Sequence, residues 1–229
     1  MNSIFFMEND IQIKELEIAI ISLKSSEDRR RLINFTPNSW VNAFDGRELD
    51  LNYLQNQCIR YTDQVFYAAY GANLNTDMWK CRIACFLSHM KALSQFSKPL
   101  LILEDDFYTT GPIQERVLKD VPNDWDILFL GGFPQVKPNK EFNPVLGWNR
   151  IDSNLIKYWC THAYIVRRPK ELLKMIRTNN MKPTTLDSYY NKHIFKKLNV
   201  YFHFNSIVTQ NMDFKSLIDP SNKFIKNKS

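Results

Sequence analysis

The stretch LLILEDD, residues 100–106, decides the fold, because four apolar residues run directly into three carboxylates. A continuous apolar run of this length is typical of a strand buried on both faces of a parallel sheet. The three acids cannot follow the strand into the core. We therefore expect them at its carboxyl end, which is where open α/β sheets bind ligands.

Three adjacent carboxylates repel one another unless a cation lies between them. Oxygen ligands suit Mg²⁺ or Mn²⁺, and proteins often hold these ions with few carboxylates together with the phosphates of a substrate. One interpretation of the stretch is therefore a site for a metal ion and a diphosphate. The other is a solvated acidic turn without a ligand, and the stretch alone does not decide between them.

The segments around this stretch predict a mostly parallel α/β sheet with helices on both faces. Apolar runs predict strands at 17–23, 39–44, 125–130, 157–166 and 199–204. Amphipathic patterns and capping residues predict helices at 27–36, 85–96, 169–177 and 185–198, and a short one up to Lys119. Residues 47–80 show no clean period and predict short helices and a loop, and the proline-containing segment 133–150 predicts a long loop.

Length and composition bound the function classes. A chain of 229 residues fits one α/β domain at 17–218, with an extension at 1–16 and a basic tail at 219–229. The net charge of +6 would suit nucleic acid, an anionic membrane or a phosphorylated substrate. However, the Lys and Arg residues are scattered, which favours simple solubility and argues against a nucleic-acid binder.

The N-terminal sequence, the hydropathy and the cysteine spacing indicate the cellular location and the state of the thiols. The N-terminus lacks the pattern of a signal peptide, and no apolar run is long enough to span a membrane. We expect a cytoplasmic protein, with a peripheral membrane contact through its basic surface as a further option. The four cysteines include no Cys-x-x-Cys pair, which argues against a zinc site and indicates reduced, packing thiols.

Several segments, taken in order, resemble glycosyltransferase family 25, the lipooligosaccharide and collagen galactosyltransferase group. The resemblance covers about residues 18–218, and the order of the pieces makes it specific. The matching pieces are Ile21–Lys24, Asp28–Arg30, Phe44–Gly46, Cys85–His89, Leu103–Asp106, Trp125–Gly131, Ala163–Tyr164 and Leu186–Asp187, with Gln210, Ser216 and Ile218 as a closing segment.

The resemblance implies a GT-A-like, Rossmann-type sheet and a UDP-galactose or UDP-glucose donor. It implies inverting transfer to a glycan hydroxyl, as in lipooligosaccharide, assisted by Mn²⁺ or Mg²⁺ as cofactor. A collagen-type hydroxylysine acceptor is an alternative within the family. A non-catalytic module that binds a nucleotide sugar or glycan is another, because the family's usual Gly-Glu-Ile-Gly is replaced here by Cys81–Ala84.

Asp106 is the expected metal ligand, Asp105 is expected to serve the metal or the ribose, and Glu104 is expected to orient them as a second catalytic residue. The candidate base for the acceptor hydroxyl is Asp187. An acid in a first helical turn also stabilises the helix dipole without any catalysis. A histidine could add a metal ligand; the candidates are His162, His193 and His203, with His203 preferred.

Donor contacts are expected from residues at strand ends and at the first helix. These are Ser22, Leu23, Arg29, Arg30, Asp45, Ser88, Asp105, Gly131 and Gly132. Several of them have a structural alternative. The two arginines could cover a helix face, Asp45 and the two glycines could be ordinary turn residues, and His89, beside Ser88, is more often structural than a ligand.

Overall fold

The computed structural model describes residues 9–62, 77–179, 184–211 and 213–214. The strands are β1 (Ile11–Gln12), β2 (Glu17–Ser22), β3 (Ser39–Asn42), β4 (Leu100–Glu104), β5 (Phe107–Tyr108), β6 (Val117–Leu118), β7 (Ile127–Phe129), β8 (Phe133–Val136), β9 (Trp148–Arg150), β10 (Ile156–Trp159), β11 (Ala163–Val166), β12 (Val200–His203) and β13 (Thr209–Gln210). The α-helices are α1 (Glu27–Arg31), α2 (Leu51–Thr62), α3 (Asp77–Gln95), α4 (Pro169–Thr178) and α5 (Leu186–Tyr189). Single-turn 3-10 helices occur at Ile13–Glu15 and Ile113–Glu115, and a π-helix at Tyr190–Ile194 continues α5.

The core of the molecule is a seven-stranded mixed sheet in the order β3-β2-β4-β11-β7-β12-β9. Five strands share one direction, while β11 and β9 run the opposite way. The predicted α/β class is confirmed. The mostly parallel pairing is not, because β11 is antiparallel to both of its neighbours. Strand β11 follows the antiparallel pair of β8 and β10 without a helical crossover and so enters the sheet from the carboxyl edge.

Strand β4 is buried on both faces, as its apolar run predicts. Leu100 and Ile102 pack into the cluster beneath α2, α3 and α4, whereas Leu101 and Leu103 pack into the cluster on the opposite face. All four side chains are fully buried. The chain can therefore become polar only where β4 ends, which places the acids that follow at the sheet's carboxyl edge.

Helix α3 begins at Asp77, eight residues before the predicted start at Cys85. Cys81–Ala84 are therefore helical rather than part of a loop. The first turns of α3 carry Trp79, with Arg82 above its ring at 5.0 Å. The charged Arg82 interrupts the apolar stripe of the helix, so the hydrophobic periodicity did not predict these first turns.

Several predicted elements differ in the structure. The segment 133–150 contains β8 and β9 rather than only a loop, and the helix predicted before Lys119 is a 3-10 turn followed by β6. The single strand predicted at 157–166 is two strands, because Cys160 has φ +73° and breaks the run. Within the described residues, no helix is long and apolar enough to cross a membrane.

Part of the predicted organisation lies outside the described residues. This applies to most of the loop within 47–80, to Ser216 and Ile218, and to the basic tail at 219–229. Of the expected N-terminal extension, β1 pairs with β6 and Ile13 is fully buried, so this stretch packs against the body of the domain.

Candidate functional site

A pocket opens at the carboxyl ends of β2 and β4, against one face of α3. Its walls come from the end of β2, the turn after β3, helix α3, the acidic stretch after β4 and one residue of β13. The lining residues are Ile21, Ser22, Leu23, Arg29, Ala43, Phe44, Asp45, Gly46, Cys81, Cys85, Ser88, His89, Glu104, Asp105, Asp106 and Gln210. The pocket therefore lies at the sheet edge at which the LLILEDD stretch predicts a ligand.

The three acids of this stretch lie in the pocket, each with different partners. Asp105 Oδ1 accepts a hydrogen bond from Arg29 at 3.0 Å, and its backbone N–H donates to Ile21 O at 3.1 Å. Asp106 Oδ2 accepts from Gln210 Nε2 at 2.8 Å. Asp106 Oδ1 is buried and has no hydrogen-bond partner among the described residues. A buried carboxylate oxygen of this kind has a lone pair free for a ligand.

The pKa values of the three acids shift in different directions. Burial, and then the charge of Glu104, raise the pKa of Asp106 to about 7. Burial also raises the pKa of Asp105, although Arg29 opposes this. Burial would raise the pKa of Glu104, but the hydrogen bond with His89 and the charges of His89, His162 and Arg29 together lower it. A divalent cation beside Asp105 and Asp106 would stabilise their ionised forms, so this donor set fits Mg²⁺ or Mn²⁺.

Glu104 is held by a buried chain of hydrogen bonds. His89 Nε2 lies 3.1 Å from Glu104 Oε1, and His89 Nδ1 lies 2.9 Å from the hydroxyl of Tyr164. That hydroxyl lies 3.5 Å from the hydroxyl of Tyr190. His89 is fully buried and stacked on Tyr164. His89 is thus held by internal contacts, and its ring also lines the pocket.

Asp187 lies in the first turn of α5, behind the pocket lining. Its Oδ2 accepts from the backbone N–H of Cys160 at 3.4 Å, and its Oδ1 is buried without a partner among the described residues. Burial, assisted by the charge of Glu104, raises the pKa of Asp187 to about 6. A carboxylate with this pKa is suited to accept a proton near neutral pH. The assignment of Asp187 as the base remains a prediction.

The two arginines of α1 behave differently. Arg29 reaches into the pocket, binds Asp105 and lies 4.8 Å from the ring centre of Phe214. Arg30 instead donates to Ser22 Oγ at 2.8 Å and to Leu23 O at 2.9 Å. It therefore braces the loop after β2, which agrees with the structural alternative for Arg30.

The remaining predicted donor contacts near the pocket are largely occupied by internal bonds. Asp45 accepts from the guanidinium of Arg47 at 2.9 Å, which lowers the pKa of Asp45. Ser88 Oγ donates to Ala84 O at 2.7 Å and accepts from Phe44 N at 3.0 Å. Ser88 therefore joins α3 to the turn after β3 and shapes the pocket wall.

Gly131 and Gly132 lie beneath crossing backbone rather than on the pocket wall. A Cβ on Gly131 would meet Val208 O at 2.0 Å, and one on Gly132 would meet Trp159 O at 2.4 Å. Gly132 also has φ +124°. Close backbone packing thus explains both glycines, and the structure places neither against the acidic stretch.

His203 is not brought to the acidic stretch, which corrects its preferred place as a metal ligand. Strands β11 and β7 lie between β12 and β4, so the strand ends are separated by about 14 Å at the usual strand spacing. His203 Nδ1 instead donates to Asn205 O at 2.6 Å, and its ring packs against Trp148. Gln210 lies beside Asp106, at the place where the histidine was expected.

The other candidate histidines lie elsewhere. His193 packs edge-on against Tyr189, with ring centres 4.9 Å apart. His162 Nε2 contacts Val208 O at 3.4 Å, and its buried Nδ1 has no partner among the described residues. The carbonyl of His162 accepts from Glu104 N at 2.9 Å, so this histidine borders the acidic stretch without lining the pocket.

Sequence reasoning missed two features of the pocket. Gln210 was noticed only as part of a closing segment, because a glutamine carries no ligand signature by itself. Gly46 must be glycine because a Cβ there would meet the backbone of Lys80 at 2.3 Å, where the turn after β3 crosses α3. Only the three-dimensional contact reveals that crossing.

Comparison with known proteins gives a family match and distant structural likenesses. A family model described as "Glycosyltransferase family 25 (LPS biosynthesis protein)" matches residues 15–190. No curated protein matches the sequence significantly. The crystal structure of the nucleoside-diphosphate-sugar pyrophosphorylase from Vibrio cholerae RC9 is 16% identical with a TM-score of 0.34, covering 84% of this chain and 94% of that chain. A likeness at that level transfers neither fold class nor activity.

Proposed function

The chain belongs to glycosyltransferase family 25, and from this premise we propose that it transfers galactose or glucose from a UDP-sugar to a glycan hydroxyl. The observation that carries the proposal is the pocket at the ends of β2 and β4. There Asp105 and Asp106 are buried side by side, and one oxygen of Asp106 is left unpaired. The sheet order, with five co-directional strands, supports a GT-A-like architecture.

We assign Asp106 and Asp105 to a Mn²⁺ or Mg²⁺ ion. When bound, such an ion supplies positive charge that stabilises the leaving diphosphate. Arg29 holds Asp105 in place at 3.0 Å and brings a further positive charge to the pocket. Gln210 orients Asp106 through its Oδ2, so that Oδ1 faces away from that bond. Glu104, held by His89, adds negative charge beside these two carboxylates.

In the proposed reaction, the acceptor oxygen attacks the anomeric carbon of the donor sugar from the face opposite the diphosphate. The bond from that carbon to the diphosphate oxygen breaks, UDP leaves with the electron pair, and the configuration inverts. We assign the acceptor's proton to Asp187, because a pKa of about 6 leaves this carboxylate ionised at neutral pH. Asp187 is buried and does not line the pocket, so the side chains that cover it must move when the acceptor binds. A glycan such as lipooligosaccharide is the favoured acceptor, in line with the family description. A hydroxylysine acceptor is the alternative.

The test is UDP release from UDP-galactose and UDP-glucose, measured in parallel with Mn²⁺ and with chelator. We expect chelator-sensitive UDP release with one of the two donors. A matching glycan acceptor should increase this release. We further propose that the protein acts in the cytoplasm. Donor binding without release from either sugar would instead support the non-catalytic binding module. Release unaffected by chelator would contradict the metal assignment.

A further inference from the structure

A second group of side chains that can bind a metal lies beside Asp105 and Asp106, the acidic pair. Cys85, His89 and Glu104 each present a ligand atom to the same point, and these atoms all lie within 4.8 Å of one another. Cys85 and His89 are four residues apart on α3, so they share one face of the helix. Glu104 faces them from the end of β4, with its Oε1 3.1 Å from His89 Nε2.

We propose that Cys85, His89 and Glu104 form a second cation site, which takes a thiophilic divalent ion such as Zn²⁺. The ligand chemistry separates it from the acidic pair, because thiolate and imidazole prefer Zn²⁺ whereas carboxylates alone suit Mg²⁺ or Mn²⁺. Tetrahedral zinc places its ligand atoms about 3.5 Å apart. The widest separation therefore needs to close by about 1 Å, and the 3.1 Å between His89 Nε2 and Glu104 Oε1 needs to open slightly, which small side-chain rotations supply.

The surroundings of the three residues suit a bound cation. All three line the pocket, so a fourth position stays open to water or to a substrate oxygen. Burial first, and then the carboxylates of Glu104, Asp187 and Asp106, favour the protonated thiol of Cys85, so the surroundings of its sulfur are apolar and negative. Positive charge at this point would be attracted by each of them.

A hydrogen-bond partner for the His89 imidazole is also in place. A metal-bound imidazole usually donates its other N–H to a neighbouring acceptor, which fixes the ring. Here His89 Nδ1 lies 2.9 Å from the hydroxyl of Tyr164, which can accept that bond, while Nε2 points to Glu104. The ring is stacked on Tyr164 and fully buried, so its orientation is set before any ion arrives.

The sequence argued against a zinc site because the cysteines form no Cys-x-x-Cys pair. That rule describes closed structural sites with several thiolates. A site with one thiolate, one imidazole, one carboxylate and an open position has no such signature. The spacing of Cys85 and His89 becomes a signal only when the end of β4 is known to face it.

The first test is a Co²⁺ titration of the full chain without donor, followed by absorption spectroscopy. We expect a thiolate-to-cobalt charge-transfer band in wild type that is lost in Cys85→Ala. The matched control is Cys81→Ala, one turn earlier on α3 and also at the pocket, which should keep the band. Loss of the band in Cys81→Ala with retention in Cys85→Ala, or no band in folded wild type, would overturn the proposal.

A second measurement needs no variant. Iodoacetamide alkylation of wild type, read for each cysteine peptide by mass spectrometry, should slow about tenfold or more at Cys85 when Zn²⁺ is present, and not when Mg²⁺ replaces it. Cys58, which lies on α2 and is fully buried in the core, serves as the internal control. An unchanged rate at Cys85 with Zn²⁺ would mean that the three residues form only a structural contact.

Two further variants separate this proposal from the transferase proposal. Tyr164→Phe removes the outer hydrogen bond and should weaken Zn²⁺ binding about tenfold. Asp106→Asn should retain the Co²⁺ band, because Asp106 is not a ligand of this site. If Asp106→Asn abolishes the band instead, the two sites are one and the proposal fails, whatever the turnover experiments give.

Discussion

The carboxyl ends of β4 and β12 were both expected to bind the metal, and the structure treats them differently. At the end of β4, Asp106 is buried with one unpaired oxygen and a pKa raised to about 7 by burial. At the end of β12, His203 is bonded to Asn205 O and packed against Trp148. Satisfied polar groups stabilise the fold, whereas buried unsatisfied ones leave free energy that a ligand can recover.

The largest expected effect comes from exchanging the key group at each strand end. Asp106→Asn keeps the size of the side chain but removes the metal-binding charge, so donor turnover with Mn²⁺ should fall about 10³-fold. His203→Gln should change turnover less than about twofold, since this ring has internal partners only. UDP release under saturating donor measures both. Equal losses in the two variants would remove the distinction between the strand ends.

The next effect concerns the second buried acid with an unpaired oxygen. Asp187→Asn should lower kcat about 10²-fold while donor binding stays unchanged, because the base acts on the acceptor rather than on the donor. In wild type the rate should rise with pH through about 6, as Asp187 becomes ionised. This limb should disappear in the variant. A variant with normal kcat and the same pH profile would leave Asp187 only its role at the start of α5.

Gly131 extends the comparison to the end of β7. Gly131→Ala would place a Cβ 2.0 Å from Val208 O, so we expect a loss of about 2 kcal/mol in the free energy of unfolding. The matched control is Gly147→Ala, where no atom lies within 4 Å but φ is +88°; it should cost about 1 kcal/mol. Denaturant unfolding measures both. A stable Gly131→Ala variant with impaired donor binding would instead support the predicted contact between Gly131 and the donor.

The smallest effect is on stability without metal. Asp106 has a pKa near 3.8 when unfolded and about 7 when folded, so the folded state favours its protonated form. The resulting stabilisation is full below about pH 4 and is lost as the pH rises through about 7. Asp106→Asn removes this dependence and should therefore be more stable than wild type at pH 8 by about 1–2 kcal/mol.

Thermal unfolding at pH 5 and pH 8, with chelator, measures this difference. His203→Gln is the control and should follow the wild-type pH dependence. A wild type that becomes more stable between pH 5 and pH 8, with Asp106→Asn less stable at both, would show that Asp106 is well solvated or already paired.

The sequence predicted those features that depend on residues close together in the chain. The LLILEDD run predicts both the buried strand and the position of its acids, since apolar length and adjacent charge are local properties. Helix α4 begins at Pro169 as predicted, because proline suits a first helical position. The strands β2, β3, β7 and β12 were found for the same reason, as apolar runs between turn residues.

The misses all depend on distant contacts. The reversed direction of β11 follows from the antiparallel pairing of β8 with β10 and from the break at Cys160. No single segment of the sequence encodes this arrangement. Gln210 reaches Asp106 only because β13 pairs with β5, which follows the acidic stretch directly. The same holds for His203, whose position at a strand end was correctly read but whose strand lies too far across the sheet.

The most direct test of the account is a calorimetric titration of Mn²⁺ into the protein with UDP present, for wild type and Asp106→Asn, at pH 6 and pH 8. We predict that wild type binds one Mn²⁺ at the acidic pair, more tightly at pH 8 because Asp106 is then ionised, and that Asp106→Asn loses this binding. Mn²⁺ binding that is the same in the variant, or that does not change between the two pH values, would contradict the assignment of the β4 end as the metal and diphosphate site.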